Sequence, residues 1–435
     1  EISLGLVGSE MCIRDRYYGS PKNSISESRG EEFTYTIDNL LTYNKTFSGH
    51  SIDALVGTSW MREYNRSMSL ATINDLGGTE ITGFSSVDGK ISAGDSNAAL
   101  LSFFARLNYD YKDRYLLSAS IRRDESSKFY KDNRVGYFPS VSAGWNAHQE
   151  SWFANPVVSK LKIRASYGEL GANFLSPYNF DAIAYGPIPY TLGGVRYTSG
   201  RAAYLKSREL KWETAKTTDI GLELGFLNND LTVQVDYFVK KNVDLLAQID
   251  LNLSSGQIFE INSSREKPYV NSASVKNTGW EFLVNYRKQL TKDFSIDATL
   301  NLSTLKNEVL SLGDNVQPIT SGAMSSSFSD SPSITKPGEA IGSFYGYKIN
   351  GFDADGNFIF ADTDNNGSVD ANDKVILGNP IPDFSYGLNV TMSYKDFDLT
   401  MFFQGVQGNE IFNQKKYTYY FDYSNNLSLI HISEP

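Results

Sequence analysis

No run of about 20 apolar residues occurs in these 435 residues, which excludes membrane-spanning helices. It leaves strands untouched, because a tilted β-strand crosses a bilayer in about ten residues. Cysteine is limited to Cys12, so neither a disulfide framework nor a cysteine-ligated metal site can be built. Histidine is limited to His50, His148 and His431. Cations trail anions, 40 Lys and Arg against 50 Asp and Glu for a net charge of −10, and no basic stripe is offered to phosphates, which argues against a nucleic-acid surface. The opening EISLGLVGSEMCIRDR lacks the basic start and long apolar core of a secretion signal.

What is abundant is aromatic: 27 Tyr and 26 Phe, beside 35 Gly. Their arrangement is clearest in LSFFARLNYDYKDRYLLSASIRR, residues 101–123. Leu101, Phe103, Ala105, Leu107, Tyr109 and Tyr111 alternate with Ser102, Phe104, Arg106, Asn108, Asp110 and Lys112, the period of two of a β-strand. After Lys112-Asp113-Arg114 the alternation resumes through Tyr115, Leu117, Ala119 and Ile121. The unit is a hairpin with one apolar and one mostly polar face.

Alternating segments near 33–43, 51–61, 101–111, 115–123, 136–146, 160–167, 217–226, 231–240, 279–287, 294–303, 384–394 and 397–405 predict about twelve strands. The connections alternate in length, short ones such as Leu227–Asp230 against long ones such as 62–100, 168–216, 241–278 and 304–383. That alternation predicts an all-β, antiparallel, up-and-down transmembrane β-barrel with short periplasmic turns and long extracellular loops. Outward-parity aromatics flank the short turns at Tyr43, Tyr111, Tyr115, Phe226, Tyr286, Phe294, Tyr394 and Phe397, as an interfacial girdle requires. A soluble sandwich gives no reason for aromatics to gather at alternate turns. The inward parity carries Arg106, Asp110, Lys162, Arg164, Asp219, Glu223, Asp236 and Asp297, charges too costly for a dry core and suited to a water-filled lumen.

The segments GYFPSVSAGW, LKIRASYGELG, LKWETAKTTDIGLELGF, NTGWEFLVNYR, IGSFYGYKINGF, GNPIPDFSYGLN and FQGVQGNEIFN, with the hairpin above, resemble the SusC/RagA family of TonB-linked outer-membrane proteins of Bacteroidota. The resemblance runs from about Glu31 to Asn413. It implies an importer of oligosaccharides or peptides with an N-terminal plug, a SusD-like surface lipoprotein acting as lid, and energy supplied by TonB through the N-terminal region. Against that pattern the chain reads as an incomplete barrel wall without signal peptide, plug, TonB box or final strands. Residues 1–16 and 427–435 look like translated sequencing-adapter read-through, leaving 17–426 as the partial receptor barrel.

One motif points to a metal. In Asp362-Thr363-Asp364-Asn365-Asn366-Gly367-Ser368-Val369-Asp370-Ala371-Asn372-Asp373, oxygen donors sit at alternate positions about a sharp-turn glycine, the spacing of a calcium loop. Its expected Ca2+ ligands are Asp362, Asp364, Asn366, Ser368, Asp370 and Asp373 within the 304–383 extracellular region; the competing reading is a solvated Asx-rich turn. Asp353-Ala354-Asp355-Gly356 repeats only the opening of such a motif and reads as a turn. No catalytic set is expected: His50 falls in a short turn and His148 in a periplasmic connection, while Asp219 and Glu223, four apart on one strand face, read as lumen wall rather than a glycosidase pair. Loop aromatics Tyr178, Phe180, Tyr185, Tyr190, Tyr197, Tyr204, Phe328 and Tyr345 suit sugar stacking, lid packing or loop folding equally, and the prominence of Trp212 assigns it no ligand. The sequence thus predicts a non-enzymatic barrel wall in contact with outer-membrane lipid, a substrate-conducting importer first and a structural or adhesive barrel second.

Overall fold

The computed structural model describes residues 23–74, 90–153, 155–178, 180, 184–202, 207–248, 269–313, 316–322 and 331–413. Both adapter-like tails, 1–16 and 427–435, lie outside the described residues. The chain divides into two units, residues 1–38 with 59–101 and residues 39–58 with 102–435. In the smaller unit Tyr35 meets Trp60 edge-on at 5.4 Å and the Arg62 guanidinium lies over Tyr64 at 4.7 Å.

In chain order the strands are β1 (Asn23–Phe47), β2 (His50–Asn74), β3 (Lys90–Tyr111), β4 (Tyr115–Ser126), β5 (Val135–Asn146) and β6 (Val158–Ala172). A loop hairpin follows, β7 (Ala184–Leu192) and β8 (Val195–Ala202), then β9 (Glu213–Phe226), β10 (Leu231–Gln248), β11 (Tyr269–Gln289) and β12 (Phe294–Thr304). Seven short strands fill the next long connection: β13 (Lys306–Ser311), β14 (Ile319–Ser321), β15 (Ser333–Thr335), β16 (Ser343–Tyr347), β17 (Ile349–Phe352), β18 (Phe358–Phe360) and β19 (Lys374–Gly378). The last hairpin is β20 (Phe384–Tyr394) and β21 (Phe397–Gln407).

The main sheet runs β1-β2-β3-β4-β5-β6-β9-β10-β11-β12-β20-β21, with β13 added against β11. These are the twelve strands predicted from alternation, every neighbour pair antiparallel wherever its register is resolved. Several are longer than their apolar alternation. β10 and β11, expected at 231–240 and 279–287, extend to Gln248 and start at Tyr269, because backbone pairing continues where lipid-facing side chains stop.

The short turns share one edge and are hitched together. Positive φ at Ser48, Gly49, Lys112, Asp113 and Lys395 gives the tight reversals that match strand twist. Lys112 N–H donates to Gly49 O at 2.7 Å, Asn146 N–H to Arg114 O at 2.8 Å, Arg287 N–H to Asp230 O at 2.8 Å and Lys395 N–H to Asp293 O at 2.9 Å, so neighbouring hairpins are tied end to end. Between β5 and β6 a short helical turn (Ala147–Gln149) leads to Glu150, which accepts from Tyr115 Oη at 2.7 Å and from Arg114 and Trp145 at 3.2 Å.

In the larger unit, the described buried apolar side chains gather chiefly where the long connections meet the strands. Phe129, Phe138 and Trp212 form one cluster, in which the Trp212 ring lies 5.2 Å from Phe129 and 5.4 Å from Phe138 and its Nε1–H donates to Arg134 O at 2.9 Å. Ala247, Ala273, Val275, Val309 and Leu312 form a second. Trp212 is therefore a core anchor with its polar atom satisfied.

The Phe138 ring lies where a side chain on Gly171 would project. Gly171→Ala is expected to cost about 1–3 kcal/mol by overpacking, read as a lower urea midpoint of the gel-mobility shift that distinguishes folded from unfolded barrel. An unchanged midpoint would show that Phe138 swings aside freely.

Candidate functional site

Strand register sorts the larger unit's side chains into rows. One row reads Tyr115, Trp145 on β4 and β5, and Ile163, Leu222, Val235, Phe282, Leu302, Tyr386 run on from Trp145 across six more strands. Many members of this face are large, apolar and solvent-exposed, including Leu117, Ile121, Val141, Ile163, Ile220, Trp280, Leu300 and Phe403. In water such a continuous surface is untenable, whereas against lipid it is the surface required. The predicted girdle falls at its short-turn margin: Phe226, Leu231 and Tyr286 are consecutive partners, as are Phe294, Tyr394 and Phe397.

The opposite face is polar and charge-compensated. The row Lys162, Glu223, Gln234, Leu283, Asn301, Gly387, Gln404 runs beside Arg164, Gly221, Asp236, Glu281, Ser303, Ser385. Arg164 reaches across β9 to Asp236 on β10, Nη2 to Oδ1 at 2.6 Å. A side chain at 221 would collide with both, so Gly221 is what opens this route. Arg164 also stands 3.5 Å from Asp219 and 3.5 Å from Glu223, and Glu223 takes Lys160 at 2.8 Å and Lys162 at 3.5 Å. The two carboxylates that could have mimicked a glycosidase pair are thus ligands of wall cations. A groove of about 900 Å³ follows the wall from Arg164 past Gln234, Glu281 and Asn301 to Gln404.

The acidic motif occupies the loop between β18 and β19. Asp362 accepts from Asn366 N–H at 3.1 Å and Gly367 N–H at 2.8 Å, with Gly367 at φ +88° closing the turn. Asp373 is buried and accepts from Thr363 N–H at 2.6 Å and Asp370 N–H at 2.8 Å. The Asp370 amide foremost, then those of Thr363 and Asp364, hold the Asp373 carboxyl below the ordinary carboxylate range against the opposing effect of burial. Carboxylate oxygens of Asp362, Asp364 and Asp373 lie within 4.8 Å of one another. Asn366 bridges Asp364 and Ser368 at 3.0 and 2.9 Å, whereas Asp370 turns to cap the short helix Ala371–Asp373 through Asn372 N–H at 2.7 Å. Three of the six predicted ligands converge directly and the remaining donors line the same turn.

His50 stacks near Tyr111 at 4.6 Å and its Nδ1 lies 2.7 Å from Tyr109 Oη, while His148 Nδ1–H donates to Leu161 O at 3.0 Å. Both are packed parts of the short-turn edge. Among the loop aromatics, Phe180 packs on Tyr130 at 5.9 Å and Tyr345 lies under the Lys336 ammonium at 5.9 Å. Tyr204 and Phe328 lie outside the described residues, as do the side chains of Tyr185, Tyr190 and Tyr197. The crossing of Arg164 over Gly221 was not foreseen; its signal is a glycine on the polar parity of TDIGLELGF, flanked by charges two residues away on either side.

The family described as TonB dependent receptor-like, beta-barrel matches residues 12–431. TonB-dependent receptor P3 of Formosa agariphila is 33% identical over 94% of this chain and 40% of its own length. TonB-dependent receptor SusC of Bacteroides thetaiotaomicron is 32% identical over 72% of this chain and 32% of its own. The chain therefore spans well under half of these relatives. Its fold matches a chain in the structure of the RagAB peptide importer in the closed-closed state with a TM-score of 0.75, at 21% identity, over 92% of this chain and 44% of that one.

Arg164→Met strands the buried Asp236 carboxylate and is expected to destabilise the wall by about 1–3 kcal/mol, a figure kept low because Arg164 is partly solvated. The double variant Arg164→Met/Asp236→Leu should recover most of that loss in urea unfolding. A double variant no better than the single one would show that the crossing pair matters for more than charge compensation.

Proposed function

Because the chain belongs to the TonB-dependent receptor-like β-barrel family, proteins of the outer membrane, we propose that it is the barrel-wall section of an importer of oligosaccharides or peptides. The observation that carries this reading is the two-faced wall, apolar toward lipid and lined on the other side by ion pairs, amides and hydroxyls. A polar, charge-compensated lining lets a hydrated solute pass without leaving a buried charge unpaired. In this reading the wall is a stator that makes and breaks no bond. Movement belongs to a plug encoded in the rest of a longer protein and driven by TonB, and the long-loop rim meets a SusD-like surface lipoprotein. Peptides enter the proposal through the likeness to the RagAB peptide importer, and oligosaccharides through the sequence resemblance to SusC/RagA proteins.

Disrupting the gene that encodes this chain should abolish growth on one class of oligosaccharide or oligopeptide supplied as sole nutrient, with growth on monosaccharides and free amino acids unchanged. Wild-type growth across both panels would instead favour the structural or adhesive barrel.

A Ca2+ ion held by Asp362, Asp364, Asn366, Ser368, Asp370 and Asp373 is part of the same proposal, as a stiffener of the loop and not a reactant. Oxygens up to 4.8 Å apart suit opposite sides of a cation bound at about 2.3–2.6 Å, and three carboxylates so close repel one another unless neutralised. Calcium near millimolar, the affinity range of extracellular modules, should slow proteolysis between Phe360 and Lys374, EDTA should reverse this, and Asp362→Asn/Asp364→Asn should be indifferent to both. Equal cleavage of the wild-type chain with calcium and with EDTA would leave the motif an Asx-rich turn.

A further inference from the structure

Above the apolar band on β9, β10 and β11, the register brings together three lysines that are far apart in sequence. Lys216 is the partner of Lys241, and Lys241 is the partner of Lys276. Cross-strand partners project to the same side of a sheet, and so do residues four apart on one strand. Lys216, Lys241 and Lys276 each stand four residues beyond Ile220, Tyr237 and Trp280, an outward row in which Ile220 is 56% and Trp280 48% exposed. The lysines are therefore on the lipid-facing side. Lys306, the partner of Thr278, joins them one step lower on β13.

Like charges set directly opposite one another destabilise a sheet unless an anion intervenes. Two carboxylates flank the row. Glu169 takes Lys216 at 3.3 Å; Glu308 is the partner of Lys276 but stands outside ion-pair distance. Among the described residues neither Lys241 nor Lys276 has a carboxylate within ion-pair reach. At the short-turn end of β11, by contrast, Lys288 is held by Asp230 at 2.9 Å and Arg287 by Asp297.

Height along the wall says what faces the row. Lys241 is ten residues beyond Leu231, which sits in the short-turn girdle between Phe226 and Tyr286. Ten residues span about 33 Å along a strand, and a strand tilted by about 40° rises about 25 Å over that length, the height of a barrel's apolar band. Tyr237 and Trp280, with rings 4.8 Å apart, lie about 10 Å inside that limit, on the apolar surface below the lysines.

We propose that Lys216, Lys241 and Lys276, with Lys306 beside them, form a docking row for the phosphate-bearing headgroup of an outer-leaflet lipid. The acyl chains of that lipid lie along the Ile220–Tyr237–Trp280 surface and its phosphate separates the lysines. The inference needs only the membrane setting, so its failure leaves the importer reading intact.

The test is native mass spectrometry of the full chain in a neutral detergent, with phosphatidylglycerol, phosphatidylcholine or inorganic phosphate added. The wild-type chain should retain phosphatidylglycerol over phosphatidylcholine. Removing each lysine should weaken retention roughly fivefold, so that Lys216→Gln/Lys241→Gln/Lys276→Gln loses on the order of a hundredfold, whereas Lys→Arg at the same three positions and Lys292→Gln at a short turn retain it. The folded gel mobility of every variant is recorded beside the binding, and a glutamine variant that fails to fold is replaced by the single Lys241→Gln. Equal retention by the wild-type and glutamine chains, or no preference for phosphatidylglycerol, overturns the proposal. So does displacement of the lipid by inorganic phosphate at equal concentration, which would make the row a site for soluble anions.

Discussion

The constraint on which everything else depends is that a backbone N–H or C=O inside a bilayer has no water to turn to. Each wall strand must satisfy its main chain on its neighbours, and pairing runs unbroken over the ladders of β6, β9, β10, β11, β12 and β20 apart from local bulges. Once pairing is fixed, so is the face to which every side chain projects. A one-residue slip of β9 would turn Leu222 toward the polar side and Glu223 toward lipid, an error expensive enough to hold the register without a dry core between the faces. That explains why well-packed apolar clusters lie under the loops, around Trp212 and Val309, and not within the band itself.

The polar face follows from the same constraint in reverse. Its charges cannot be left alone beside a low-dielectric wall, so they are tied strand to strand, Lys160 and Lys162 to Glu223 and Arg164 to Asp236. Gly221 matters because the shortest path between the last two crosses an intervening strand. Such a network also explains why carboxylates on this face do not amount to a catalytic pair: their oxygens are already engaged by cations of the same wall.

Much of this was legible in the sequence, for a physical reason. Period-two alternation is imposed by lipid, so the twelve wall strands, the short-turn edge and the girdle at Phe226, Tyr286 and Tyr394 could be read directly. Where lipid stops, alternation stops constraining the residues while hydrogen bonding goes on, and the far ends of β10 and β11 were therefore missed. The acidic loop was legible because its contacts are local, Asp362 to Gly367 and Asp373 to Asp370. Arg164 over Gly221, and the lysines at 216, 241 and 276, were not, since no local pattern announces which residues register will set side by side. A composition with more anions than cations concealed a local row of positive charge for that reason.

The hitched turns at the short edge have a consequence for how such walls change. Each hairpin pairs with the hairpins next to it in the chain, and most are fastened at the short edge by single backbone bonds such as Lys112 to Gly49 and Lys395 to Asp293. A hairpin is thus a repeatable module with the same two edges and the same two faces as its neighbours. Duplicating or deleting one would widen or narrow the wall by two strands and leave every remaining ladder in register, so bore and rim can be reshaped independently: the bore by the number of modules, the rim by whatever chain is spliced between their far ends.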